Sequence, residues 1–271
     1  LYGAVILGGA DPVPAILIAG LAALILAVPT AFFAFRLQGA YFAIGTWVIA
    51  EVVRLSVAQW RAVGGGTGTS LPRDALDGMI LVGWIEETLD VRAAAARDIL
   101  AYWLALLLAV ATVAGIYWLL RSKPGLALAA IRDNTEAARS VGVDASRMKW
   151  FVFLTSAFGT GLAGGLIYLQ KARISPDAAF SLTDWTAYVI FIVVIGGLGT
   201  IEGPIVGVLV FWGQQTAFAD YGSWYLLALG LLAIATMLFA PRGLWGLIAD
   251  RWGIALFPVQ RRLILEGAKD G

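Results

Sequence analysis

Glu51 and Arg54 are ionisable residues inside the otherwise uncharged apolar run Ala40–Trp60, three positions apart. On a helix that spacing puts both on one face, within ion-pair reach. Two roles follow from it. The residues neutralise each other near a span end, or they mark a pathway, since an ionisable group in a span is otherwise a functional candidate. A second chemical candidate is GGGTGTS, Gly64–Ser70. It resembles a phosphate loop but lacks the lysine of G-x-x-x-x-G-K-[ST], so phosphate binding is set aside. The third is GGLGTIEGP, Gly196–Pro204, which joins two short apolar segments. Glycines and a proline at membrane depth fit a broken helix or a tight hairpin, there for close packing or for contact with a substrate. The chain has no His and no Cys. That removes His-based acid/base dyads, thiolate nucleophiles, disulfides and most transition-metal sites. No catalytic set, metal or cofactor is expected, and the reading is not that of an enzyme.

The elements that carry these residues are membrane spans. The chain is 60% hydrophobic and 14% charged, with 32 glycines in 271 residues, whereas soluble domains carry roughly 25% charge. The apolar residues lie in long runs, and a run of about 20 residues crosses roughly 30 Å of hydrocarbon. The predicted class is all-α, a polytopic transmembrane bundle with seven to eight spans. The spans are Ala15–Phe35, Ala40–Trp60, Ile99–Leu120, Trp150–Gln170, Trp185–Ile201, Pro204–Ala219 and Tyr221–Ala240, with Leu1–Gly9 as the tail of another. The sequence begins with Leu1 inside an apolar stretch and shows no signal peptide, so the native N-terminus is expected upstream. Met79–Ile85 is too short to cross and is expected to be interfacial or re-entrant. Gly161 and Gly165, and Gly203 and Gly207, have the i,i+4 spacing that permits close helix packing.

Charge sets the orientation. Arg121–Lys149 is the long polar interruption of the C-terminal half, with Arg121, Lys123, Arg132, Arg139, Arg147 and Lys149 against Asp133, Glu136 and Asp144. Placing it in the cytoplasm also puts Arg36, Arg242, Arg251, Arg261, Arg262 and Lys269 inside, which brings 12 of the 19 Lys and Arg to that side, as the positive-inside rule requires. Arg61–Asp98, net acidic, falls outside with Lys171–Asp184. Within the basic loop Pro124 stops the preceding span. Asn134 or Thr135 N-caps a short helix and Gly142 closes it. That helix is about two turns, on the order of 10 Å, too short to be stable alone in water. Ala137 and Ala138 would let a partner approach closely; otherwise the stretch is a solvated loop with a helical turn. Net charge near +1, with the basic residues dispersed, gives no case for nucleic acid.

EAARSVG, Glu136–Gly142, matches the EAA-x-x-x-G signature of ABC importer permeases. RLQGAYFAIGTWVIAEVVRL (Arg36–Leu55), AIRDNTEAARSVGVD (Ala130–Asp144), RISPDAAFSLTDWTAYVIFIVVIGGLGTIEGP (Arg173–Pro204) and APRGLWGL (Ala240–Leu247) occur in order along the chain. Together they resemble the LivM-type permease subunit of branched-chain amino-acid ABC importers. Gly68 stands where that family has Asn in a GGTNG-like stretch.

The resemblance implies one transmembrane permease domain over residues 1–271, with a cytoplasmic coupling loop at 121–149 and a cytoplasmic tail at 241–271, in a bacterial plasma (inner) membrane. Arg132, Asp133, Glu136, Ala137, Ala138 and Gly142 would be the ATPase-coupling residues. Tyr41, Glu51, Arg54, Gly196, Gly197 and Gly199 are candidates for the translocation path. The implied partners are a LivH-type permease subunit as heterodimer, two cytoplasmic ATPase subunits, an outer amino-acid-binding protein and membrane lipid. Cargo would be branched-chain amino acids, with urea or short amides as the alternative. An ion-coupled secondary transporter would need an ionisable relay, for which only Glu51 and Arg54 qualify. A membrane enzyme has still less support, because no acid/base cluster converges on either face.

Overall fold

The structure is a computed structural model describing residues 2–61, 64–218, 224–240, 242–253 and 256–259. Tyr221, Pro241, Arg261, Arg262 and Lys269 lie outside the described residues. The first helices are α1 (Tyr2–Leu7), α2 (Pro12–Ala34), α3 (Ala40–Gln59), α4 (Arg73–Asp77), α5 (Val82–Leu89), α6 (Ala93–Arg121) and α7 (Lys123–Asp133). They are followed by α8 (Thr135–Ser140), α9 (Ala145–Lys171), α10 (Pro176–Ala179), α11 (Tyr188–Gly196), α12 (Glu202–Ala217), α13 (Trp224–Phe239) and α14 (Gly243–Trp252). A short antiparallel pair joins Thr69–Ser70 (β1) to Arg173–Ile174 (β2), with Thr69 opposite Ile174. The all-α polytopic class therefore holds.

Among the described residues, five helical runs are long and apolar enough to cross a membrane: Pro12–Ala34, Ala40–Gln59, Ala93–Arg121, Ala145–Lys171 and Pro176–Gly196. A sixth arises if Leu226–Phe239 and Gly243–Trp252, bent by 45°, form one broken span. The sequence pattern counts seven. The difference lies mainly at α12, whose 16 residues reach about 24 Å, short of the roughly 30 Å hydrocarbon layer. Other boundaries move outward because polar caps extend the helices past the apolar runs. Asp144 caps α9 by accepting from the Arg147 amide at 3.0 Å. Asp11 caps α2 by accepting from the Val13 amide at 2.8 Å, with Pro12 in the first turn. Pro29 sits inside α2 without ending it, as membrane helices permit.

The chain divides into two compact units, Leu1–Ala114 with Ala127–Ser181, and Gly115–Leu126 with Leu182–Gly271. In the first, α2 lies along α9. Small residues set their distance: a Cβ on Gly161 would meet the Ala23 methyl and the α2 backbone at Ala19 and Gly20. At the other end of this pair Phe35 meets Trp150 and Phe153 edge-on, at 5.5 and 5.4 Å.

The core of this unit does not lie midway along the spans. It is built from Tyr2 and Ile6 of α1, Ile16 of α2, Leu71, Leu76, Met79, Val82 and Ile85 of the long connection, Leu100 of α6 and Tyr168 of α9. Ile6 and Val82 are 2% and 0% exposed, a burial of about 1.5–3 kcal/mol each. Met79–Ile85 is thus packed against protein through Met79, Val82 and Ile85, while Ile80, Leu81 and Trp84 stay exposed. The segment therefore has one side on the protein core and one side exposed, a division that composition alone cannot show.

Connections far apart in the chain meet one another in the first unit: β1 pairs with β2, Arg54 with Asp177, and the Ile80 amide donates to the Asp11 carboxylate at 2.8 Å. In the second unit α11 packs on α12, α13 and α14, around Ile195, Leu229 and Ala233. A π-helical turn, Leu182–Ala187, precedes α11.

Candidate functional site

The basic loop holds two helices where the sequence pattern predicts one. After Pro124 in the first turn of α7, GLALAAIRD consists mostly of good helix formers. Asn134 then breaks the run and caps α8. Its Oδ1 accepts from the amides of Glu136 and Ala137, both at 3.0 Å. Thr135, the other candidate cap, instead donates its hydroxyl back to the Ile131 carbonyl.

Gly142 closes α8 with φ +87°, in the left-handed region that an L side chain enters at a cost of about 1–2 kcal/mol. The Gly142 amide donates to the Arg139 carbonyl and the Val143 amide to the Ala138 carbonyl, each at 3.0 Å. This is the paired bonding of a Schellman stop. Both ends of a six-residue helix are therefore fastened.

Glu136 and Arg139 pair at 3.0 Å on the outer face of α8, with side chains 81% and 56% exposed. Arg132 and Asp133 pair at 3.1 Å just before it. Ala137 is exposed, but Ala138 is 2% exposed. Of the two alanines, Ala137 lies on the free surface of this chain. Neighbours on a helix point about 100° apart, so Ala138 seats the helix and Ala137 is presented.

On α3, Arg54 grips Glu51 with both arms, Nε to Oε2 at 2.9 Å and Nη2 to Oε1 at 2.6 Å. Its remaining Nη1 reaches Asp177 Oδ1 at 2.6 Å. The local pair is as the spacing predicts; Asp177 is a third member that sequence spacing does not reveal. Ser175 caps α10 through the Ala178 amide, and that capping pattern is the local signal that would have fixed where Asp177 lies. Tyr41 is 74% exposed at the other end of α3, and no residue of α3 is buried within the chain.

The glycine segment is a hairpin between α11 and α12. A Cβ on Gly196 would fall on the Gly203 carbonyl, one on Gly203 on the Gly197 carbonyl, and one on Gly207 on the Ile192 carbonyl. Gly197 has φ +129° and a Cβ there would meet the Arg242 carbonyl at 2.5 Å; Gly243 presses back on Gly197. Gly199 lies in open space and needs glycine only for its φ of +83°. The Thr200 hydroxyl binds both sides, donating to the Gly197 carbonyl at 3.2 Å and accepting from the Gly203 amide at 3.0 Å. Gly196, Gly197, Gly203 and Gly207 thus serve backbone crossing. Glu202, 6% exposed, was not singled out by the sequence because one acid beside a turn carries no distinctive pattern.

These features define a multi-pass membrane component with a built polar helix outside its spans and no assembled catalytic group among the described residues. The family described as branched-chain amino acid transport system / permease component matches residues 1–241, and the chain belongs to that family. It is accordingly a permease-type membrane component and not a catalytic subunit. The chain is 31% identical over 238 residues to the high-affinity branched-chain amino acid transport system permease protein LivM of Escherichia coli (strain K12), covering 84% of this chain and 56% of that protein. The LivM protein of Salmonella typhimurium is 31% identical over 220 residues, 77% of this chain and 51% of that protein. A ribose import permease protein, RbsC of Haemophilus influenzae, is 27% identical over 130 residues, 46% of this chain and 40% of that protein. The chain spans about half the length of the LivM relatives. No solved structure matches it significantly.

Proposed function

We propose that this chain is a transmembrane subunit of an ABC importer that moves branched-chain amino acids inward across a bacterial plasma membrane, driven by separate ATPase subunits. The observation that carries the reading is the element Glu136–Gly142. It matches the EAA signature, is capped by Asn134 and stopped at Gly142, and offers Glu136, Ala137 and Arg139 on its free face. Such an element suits the groove of a cytoplasmic ATPase. Arg132 and Asp133 flank the docking surface. The contact of α8 with α9 would pass a push on α8 into α9 and the α2 packed along it.

The full assembly in this reading pairs the chain with a LivH-type subunit, two ATPases and an outer binding protein. Loop 121–149 and the tail from 241 onward lie in the cytoplasm. Tyr41, Glu51 and Arg54 are assigned to the side of the translocation path, since α3 keeps its whole surface free of this chain's core. Gly196, Gly197 and Gly199 are assigned to the hairpin rather than to cargo.

A second reading changes only the cargo. A ribose import permease is among the matched relatives, so related sequences also serve a small neutral polar solute, and urea or a short amide is the alternative. Reconstituting the full-length protein with its neighbouring gene products and comparing ATP-dependent uptake of labelled leucine and labelled urea tests both. Leucine uptake that requires ATP supports the first reading, and urea uptake the second. ATP-independent uptake by this subunit alone overturns both. Glu136→Lys should lower ATPase co-purification and uptake while leaving membrane insertion intact.

A further inference from the structure

Glu202 is a buried acid that the proposed function does not use. It stands in the first turn of α12, where a carboxylate suits the helix dipole. Its Oε1 accepts from the backbone amide of Phe257 at 2.8 Å. Phe257 lies in the short segment that follows α14, fifty-five residues further along the chain. The Phe257 ring meets Tyr117 edge-on, with centroids 5.6 Å apart. Tyr117 stands one turn before the end of α6, and its hydroxyl accepts from Arg121 Nη1 at 2.8 Å. Arg121 also lies over the Tyr117 ring, 5.5 Å from its centroid. Arg121 is the last residue of α6 and the first of the basic loop.

We infer that the segment carrying Phe257 is a strap that transmits movement of the basic loop to the α11–α12 hairpin, with Glu202 as its anchor. This rests on the reading of that loop as the ATPase-coupling element. The path is Arg121, Tyr117, Phe257, Glu202, and every residue on it belongs to one compact unit. At the near end the chain turns tightly from α6 into α7: a Cβ on Gly125 would collide with the Leu119 and Leu120 carbonyls. At the far end the interlocked backbones of Gly196, Gly197, Gly203 and Gly243 leave no slack, so a displacement of Glu202 moves the hairpin as one piece. An anchor of this type depends on an acceptor oxygen at the right place. Net charge at position 202 is secondary, because the donor is a neutral amide.

The discriminating experiment measures labelled leucine moved per ATP hydrolysed, in proteoliposomes holding the complete transporter. Glu202→Leu and, separately, Phe257→Leu should lower that ratio by about fivefold or more, the lower end of typical site-to-site coupling. ATPase co-purification and ATP hydrolysis should stay close to those of the unaltered complex. Glu202→Gln keeps an acceptor oxygen and should keep the ratio. Phe257→Leu retains the backbone donor and an apolar side chain, so it serves if Glu202→Leu does not accumulate. A Gln variant as defective as the Leu variant overturns the anchor, and a normal ratio in Phe257→Leu overturns the strap. Glu136→Lys run in parallel separates the two failures. If it still binds ATPase and transports normally, the coupling reading has failed. If it is defective while the Glu202 and Phe257 variants are normal, only the strap has.

Discussion

Arg54 on α3 and Asp177 at the start of α10 meet at 2.6 Å although 123 residues separate them in the chain. The contact ties α3, a helix with no buried residue, to the connection that carries α10. Arg54 also holds Glu51 in a two-armed pair, and the planar guanidinium is the group that can serve both acids at once.

Removing Arg54 alone leaves Glu51 as an unpaired acid on a membrane helix, whereas removing both charges leaves neither. Arg54→Met should therefore lower the yield of folded, monodisperse protein more than Arg54→Met combined with Glu51→Gln. Asp177, with its side chain 78% exposed, should tolerate Asn with little change. Size-exclusion profiles of detergent-solubilised protein read this order, and a double variant worse than the single one would contradict the pairing.

The cap on α8 makes a separate prediction. Asn134→Ala removes the acceptor shared by two amides, a loss of about 1 kcal/mol in a helix too short to hold itself together. Asp keeps that acceptor. ATPase co-purification should fall for Asn134→Ala and hold for Asn134→Asp, with equal amounts of both variants in the membrane. Equal binding by the two would mean that docking does not need the preformed helix.

What the sequence discloses about these sites follows the range of the forces involved. Glu51 with Arg54, and Asn134 with Gly142, are legible because their partners lie within one or two helical turns. Asp177 is not, because its partner is fixed only when α3 and α10 come together. Ala138 and Ala137 have the same side chain, and only the folded surroundings of α8 decide which is buried. The run from Met79 to Ile85 is apolar enough for lipid, yet Tyr2, Leu76 and Leu100 claim one side of it. The glycines at 196–199 announce a turn, but Gly207 and Gly243 matter only through backbones that the sequence does not place beside them.

Those crossings can be weighed inside a single helix. A methyl on Gly207 would fall on the Ile192 carbonyl, whereas one on Gly213, also in α12, meets nothing within 4 Å. Gly207→Ala forces α11 and α12 apart, a cost of about 1–3 kcal/mol. Gly213→Ala should be neutral or stabilise slightly, since alanine is the better helix former. Thermal unfolding of the purified chain should show a clear drop for the first and none for the second. Similar melting of the two would exclude a tight α11–α12 crossing.

Tyr168 gives the corresponding test for the first unit. Its hydroxyl donates to the Thr69 carbonyl at 2.7 Å, beside the β1–β2 pair, and its ring packs against Tyr2 with centroids 5.7 Å apart. Tyr168→Phe keeps the ring and deletes only the hydrogen bond, for about 0.5–1.5 kcal/mol, which corresponds to a drop of about 1–6 °C in a chain of this size. Tyr41→Phe is the control, because that side chain is 74% exposed. Protease cleavage within Arg61–Asp98 should quicken in the Tyr168 variant, since the bond secures the strand near the start of that connection. If Tyr168→Phe melts with the control and is cleaved no faster, the connection is held by its buried Leu71, Leu76, Met79, Val82 and Ile85 alone, and the hydroxyl merely accompanies them.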